Sequence, residues 1–186
     1  MEIKETGILI ISGPRCGSTN LMKSLASSYD KNFSFEPDLI NHYPKFSSND
    51  VVKIIPFWET HLTNPNTFRY NLLLENIKQF KNIILLKRKN IVEQIESYYV
   101  MKKYNTGKID RKWNNEKITK DSSYTFFEKY INETNKVIDD ISIDLDLEIS
   151  YYEDIFKEKK LKNYKLDLSF LDYSNKLKQI NKERLV

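Results

Sequence analysis

Apolar residues in this chain fall into short runs separated by longer stretches with helical spacing. Ile8 to Ile11 is an unbroken apolar run and predicts a buried strand over 7–12. A helix is predicted over 18–29, a short extended piece near 33–35 and a polar loop from 41 to 50. Val51 to Ile55 is a further extended run. Asn66 to Phe80 reads as a helix with Phe68, Leu72, Ile77 and Phe80 on its inner face. A strand over 82–87, a helix over 90–104 and a polar loop over 105–118 follow. Phe126, Phe127, Tyr130, Ile131, Thr134, Val137, Ile138 and Ile141 recur three and four apart, which predicts a helix over 121–140. Leu145 to Ser150 reads as the last strand, with helices near 152–160 and 167–182 closing the chain. Strands that alternate with helices predict an α/β fold with a mostly parallel central sheet flanked by helices. Such sheets bind ligands beyond the C-terminal ends of their strands.

The turn from the first strand into the first helix carries the clearest chemistry. Ser12 to Gly17 is a tight glycine-bearing loop, and the helix opens at Ser18 or Thr19. Glycines let backbone N–H groups turn inward, and the helix N-terminus adds partial positive charge, so the segment is suited to an anion. Arg15 adds a cation with a planar donor fork, while Ser18 and Thr19 add hydroxyls that can cap the helix. The nucleotide triphosphate loop needs four residues between its glycines and a lysine before the hydroxyl. Here three residues separate Gly13 from Gly17, and no lysine precedes Ser18. A second anion grip is suggested downstream. Arg88 follows the strand Ile83 to Leu86, and Ser97 lies nine residues later within a helix, so the two can share one phosphate.

Pro14-Arg15-Cys16-Gly17-Ser18-Thr19-Asn20-Leu21 resembles the 5′-phosphosulfate loop of sulfotransferases that use 3′-phosphoadenosine 5′-phosphosulfate. Their usual form is Pro-Arg/Lys-Ser-Gly-Ser/Thr-Thr-x-Leu, and Cys16 replaces the common serine. Arg88, Asn90, Gln94 and Ser97 keep the register of the 3′-phosphate motif of the same family, with Lys89 where a second arginine often stands. The similarity is greatest to the bacterial glycolipid and oligosaccharide branch (the trehalose and Nod-factor type), and Thr106, Gly107 and Trp113 fit that branch loosely. The resemblance implies a three-layer P-loop-like fold. It also implies that residues 14–20 hold the phosphosulfate while Arg88 and Ser97 hold the 3′-phosphate.

Phe35-Glu36-Pro37 is similar to the Gly-Glu-Pro segment of that branch, whose glutamate is the general base. Phe33, Phe35 and Pro37 are expected to desolvate the Glu36 carboxylate. His61 is the rival base and His42 a weaker one. Lys53, on the third extended run, is placed to stabilise the leaving phosphate or to face solvent. Arg15, Lys53 and Glu36 form the expected catalytic set. Tyr152-Glu153-Asp154 resembles a late Tyr-Glu-Asp-Leu segment of the family and is expected to cap the helix it opens. A C-terminal Arg-Lys-Gly segment, which holds the adenine end in many cytosolic members, is not found, so the adenine contacts are unassigned.

Composition narrows the remaining choices. The 186 residues are expected to form a single domain, undivided by repeats or Pro-rich linkers. The formal charge of +4 suits an anionic ligand, but the 30 basic residues are scattered among 26 acidic ones, which argues against a nucleic-acid face. The lysine-rich stretch 157–165 reads as a solvated helix face. One cysteine forbids an internal disulfide, and with two histidines it cannot complete a structural zinc site, so no metal is expected. No signal peptide or membrane span is expected, and the cytoplasm is the default compartment. The acceptor is expected to be a small molecule or glycan bound by loops 38–50, 56–66 and 105–120, where Tyr43, Phe46, Phe57, Trp58 and Trp113 could stack on sugars. Two rival functions stay open: a P-loop nucleotide kinase or ATPase, and a non-catalytic module that binds a nucleotide or polyanion.

Overall fold

A computed structural model describes residues 7–28, 30–40, 42, 46, 50–80, 82–104 and 120–155. Five parallel strands form one sheet: β1 (Ile8–Ser12), β2 (Asn32–Phe35), β3 (Asp50–Ile54), β4 (Asn82–Lys87) and β5 (Ile149–Tyr151), in the order β2-β3-β1-β4-β5. Helices α1 (Ser18–Ser28), α2 (Glu59–Thr63), α3 (Tyr70–Ile77), α4 (Ile91–Tyr104), α5 (Ser122–Leu145) and α6 (Tyr152–Ile155) flank it. The fold is therefore α/β with three layers, as the alternation of strands and helices predicts.

The central strand is apolar on both faces, as a sheet covered on both sides requires. Ile10, Ile84 and Leu86 pack with Leu21, Met22 and Leu25 of α1 and Ile155 of α6. Leu9, Ile11, Val52 and Leu85 pack on the other side with Leu73 of α3, Ile95 of α4 and Ile131 and Ile138 of α5. Each such side chain, fully buried, contributes about 2 kcal/mol, so the strand ends are firmly fixed. Ser12 lies level with Leu86, which brings the loop after β1 beside the loop after β4. The first leads to α1 on one face and the second to α4 on the other. Neighbouring strands whose connections part in this way open a crevice at their C-terminal ends.

Three boundaries differ from the sequence expectation. Residues 56–66, read as loop, contain the one-and-a-half-turn helix α2, and the helix predicted over 66–80 splits into a 3₁₀ turn (Pro65–Thr67) and α3. The last long helix runs five residues past 140, and the strand predicted from Leu145 starts at Ile149. Ile141, Ile143, Leu145, Leu147 and Ile149 alternate with polar residues, a strand signal. Ile138, Ile141 and Leu145 also match helical spacing and pack on the core, and Ile143 is left exposed. The helix stops at Asp146, which is left-handed at φ 48° while the Leu147 N–H reaches the Ser142 carbonyl. Helix 152–160 is described only to Ile155, and helix 167–182, the lysine stretch and most of loops 41–50 and 105–118 lie outside the described residues.

Candidate functional site

The loop after β1 is shaped from beneath. Gln94 of α4 is fully buried and its Nε2 donates to the Pro14 carbonyl at 2.8 Å, with the Cys16 Sγ at 3.2 Å. Asn135 of α5 donates in turn to Gln94 Oε1 at 3.4 Å. A Cβ on Gly13 would stand 2.8 Å from that same Gln94 nitrogen, so only glycine leaves room for the support. Arg15 takes a left-handed conformation at φ 62° and Gly17 at φ 73°. For a non-glycine residue this costs about 1–3 kcal/mol, a strain met most often at binding and catalytic sites.

Gly17 starts α1. Its carbonyl accepts from the Asn20 and Leu21 N–H groups at 3.0 and 3.1 Å. Ser18 and Thr19 therefore sit inside the first turn and do not cap it. Among the described residues, no protein acceptor bonds the N–H groups of Gly17, Ser18 or Thr19. The Cys16 side chain is fully buried in the α1 cluster, so the position where the family has a serine turns inward. Burial pushes its thiol up to about 12, partly opposed by the Arg88 guanidinium, with Glu153 and Lys53 also acting on it. The loop follows β1, which lies between β3, the strand of Lys53, and β4, the strand that leads to Arg88.

Arg15 Nε donates to the Ser97 hydroxyl at 2.9 Å. Ser97 was expected beside Arg88, but Arg88 is held elsewhere. Its Nη2 meets Glu93 at 3.0 Å and its Nε faces Glu153 at 3.6 Å, with the guanidinium 5.0 Å from the centre of the Tyr152 ring. Glu153 also accepts from the Lys89 and Asn90 N–H groups at 2.9 and 3.4 Å, which holds its carboxyl below the usual carboxylate range. It thereby caps the start of α4. Asn90 completes the start of α4 by accepting from the Glu93 N–H at 3.1 Å.

Glu36 and Lys53 form an ion pair across the ends of β2 and β3. The Glu36 N–H donates to the Lys53 carbonyl at 2.7 Å, and Glu36 is left-handed at φ 43°. Lys53 is turned away from solvent, and its side chain is only 8 % exposed. The desolvated carboxylate expected from the flanking aromatics is not formed. Phe33 and Phe35 stand half exposed, edge to face at 5.6 Å, and Glu36 itself is 42 % exposed beside the ammonium. His61 is buried, accepts from the Trp58 N–H at Nδ1 (2.9 Å) and packs between Trp58, Phe57 and Phe68. Burial lowers its pKa, and a ring so enclosed serves the start of α2 instead of a substrate. His42 is largely exposed beside Asp38.

The sequence reading passed over Asn135 and the cap formed by Glu153. Asn135 lies within the buried stripe of α5, and a polar residue at a core position was the available signal. Tyr43, Thr106, Gly107 and Trp113 lie outside the described residues. Among the described residues no three His, Cys, Asp or Glu side chains gather as a metal group, and no helix is long and apolar enough to cross a membrane. A scan of protein-family models and searches of curated proteins and solved structures returned no match.

Proposed function

We propose that this chain is a sulfotransferase that moves a sulfuryl group from 3′-phosphoadenosine 5′-phosphosulfate to a hydroxyl, with a carbohydrate or glycolipid as the acceptor class. The observation that carries the reading is the left-handed Arg15 in the loop after β1, at the crevice between the ends of β3 and β4 of a parallel sheet. The free N–H groups of Gly17 to Thr19, with the Arg15 fork, suit the 5′-phosphosulfate. An acceptor oxygen would attack sulfur in line while the bond from sulfur to the phosphate oxygen breaks. Lys53 would offset charge on that departing oxygen, and Glu36, its ion-pair partner, would take the hydroxyl proton. The product is a sulfate ester with adenosine 3′,5′-bisphosphate. The 3′-phosphate would displace the half-exposed Glu93 from Arg88 Nη2. The lone, buried Cys16 suits work in the reducing cytoplasm.

One observation favours a second reading. Arg88 is already held by two carboxylates, which fits a module that binds a nucleotide at the loop and transfers nothing. Labelled donor incubated with a panel of hydroxylated saccharides separates the two. Transfer that disappears in Glu36→Gln supports the sulfotransferase, and bisphosphate binding with no labelled ester on any acceptor supports the module.

A further inference from the structure

Glu59, the first residue of α2, is gripped from α4. Its carboxylate accepts from the Tyr98 hydroxyl at 2.5 Å and from Lys102 Nζ at 3.0 and 3.1 Å. The Lys102 ammonium also lies 5.4 Å from the centre of the Tyr98 ring. Residues 55–58 join Glu59 to β3, the strand of Lys53. That join is held twice: the Trp58 indole N–H donates to the Ile55 carbonyl at 3.1 Å, and the Trp58 backbone N–H to His61 Nδ1 at 2.9 Å. The carboxylate therefore stands on a fixed point of the chain.

On α4 the residues that hold Glu59 alternate with those that meet Arg15. Arg15 Nε donates to Ser97, and its Nη1 reaches the Met101 sulfur at 3.8 Å. Ser97 and Met101 stand i, i+4 in one row along the helix, and Tyr98 and Lys102 form the next row, one residue on. A turn of α4 about its axis moves both rows together. A carboxylate and a lysine alone hold little near the surface, but Tyr98 is only 5 % exposed. Its ring packs edge to face on Phe127 and against Tyr130 of α5, each at 5.4 Å, contacts that need no hydroxyl. Burial pushes the phenol above its ordinary range, and the bond to Glu59 adds to this, so Tyr98 stays a donor. A hydrogen bond to a carboxylate is of the stronger kind.

We propose that Glu59 is a positioning residue for Arg15: by holding Tyr98 and Lys102 it fixes the rotation of α4 that presents Ser97 and Met101 to the arginine. The same helix supports the loop through Gln94 on the Pro14 carbonyl, so the loop depends on the setting of α4 at two points. The tie concerns the protein alone. Its consequence for the donor rests on the function proposed above, in which Arg15 holds the phosphosulfate.

The test follows the Arg15 Nε–H by nitrogen-15 NMR of the full chain, its signal assigned by its loss in Arg15→Lys. Exchange of that proton with water is expected to be about threefold faster in Glu59→Gln and in Tyr98→Phe than in wild type. Calorimetry is expected to show affinity for adenosine 3′,5′-bisphosphate lowered by about the same factor in each. Ser97→Ala combined with Glu59→Gln is expected to lose no more affinity than Ser97→Ala alone, because both act through one contact. A merely structural tie would lower the melting temperature and leave Arg15 exchange as in wild type. The proposal is overturned if exchange in either variant matches wild type, or if the losses in the double variant add. Faster exchange in a chain whose wild type binds no bisphosphate supports the role of Glu59 and overturns the sulfotransferase.

Discussion

The Arg15 guanidinium is tied to the Ser97 hydroxyl by a 2.9 Å hydrogen bond that spans 82 positions of the chain. It fastens the loop after β1 to the helix after β4 across the crevice of the sheet. A left-handed arginine needs such a tether, because its backbone alone does not favour the conformation. Ser97→Ala removes the acceptor of the Arg15 Nε bond. Affinity for adenosine 3′,5′-bisphosphate is expected to fall about fivefold, near 1 kcal/mol, and Ser97→Thr to restore it. Calorimetry on the three proteins checks this.

Gly13→Ala places a methyl 2.8 Å from a Gln94 nitrogen that already holds the Pro14 carbonyl. Gln94 is fully buried and cannot swing into water. The substitution is expected to cost about 1–3 kcal/mol of stability. Urea unfolding reads this as a lower midpoint at an unchanged slope.

The ion pair of Glu36 with Lys53 separates two roles. Glu36→Gln keeps a side chain beside the ammonium but cannot accept a proton. Turnover is expected to fall about 10²- to 10³-fold with bisphosphate affinity unchanged. Lys53→Met is expected to weaken both, since it removes a buried cation at the end of β3, the strand beside β1. Transfer rates and calorimetry on each variant distinguish the outcomes.

His61 gives the fold a pH dependence of known sign. Burial lowers its pKa below 6.5, so the unfolded chain binds the proton more readily than the folded one. Its contribution is complete above pH 6.5 and is lost as pH falls below that value. Protonation would also remove the Nδ1 acceptor of the Trp58 N–H. The melting temperature is expected to fall on acidification from about pH 7.5 to about pH 5.5, less steeply in His61→Gln. Thermal melts across that range check it.

Much of the fold was legible because the β1 and β4 runs are short, apolar and bounded by polar residues, as buried strands are, and the apolar residues of α5 recur three and four apart. The chain misled where two periods overlap. From Ile141 to Ile149 alternate residues are apolar, yet helix wins through Leu145 because that helix has a core to pack on. The loop was legible as an anion site from Gly13, Arg15 and Gly17. Its supports were not. Gln94, Asn135 and Glu153 act through contacts made 41 to 80 positions away, and no local pattern marks the partner of a side chain. The same limit explains why Ser97 was assigned to Arg88 and lies on Arg15.

The most direct test is calorimetric titration of the whole chain with adenosine 3′,5′-bisphosphate, run without magnesium on wild type and Arg15→Ala and repeated on wild type with ATP–magnesium added as the competing ligand. Saturable binding of the bisphosphate by wild type, lost in Arg15→Ala and not displaced by ATP–magnesium, is the expected result. Binding of ATP–magnesium alone, or bisphosphate binding that survives Arg15→Ala, would contradict a phosphosulfate loop built on Arg15.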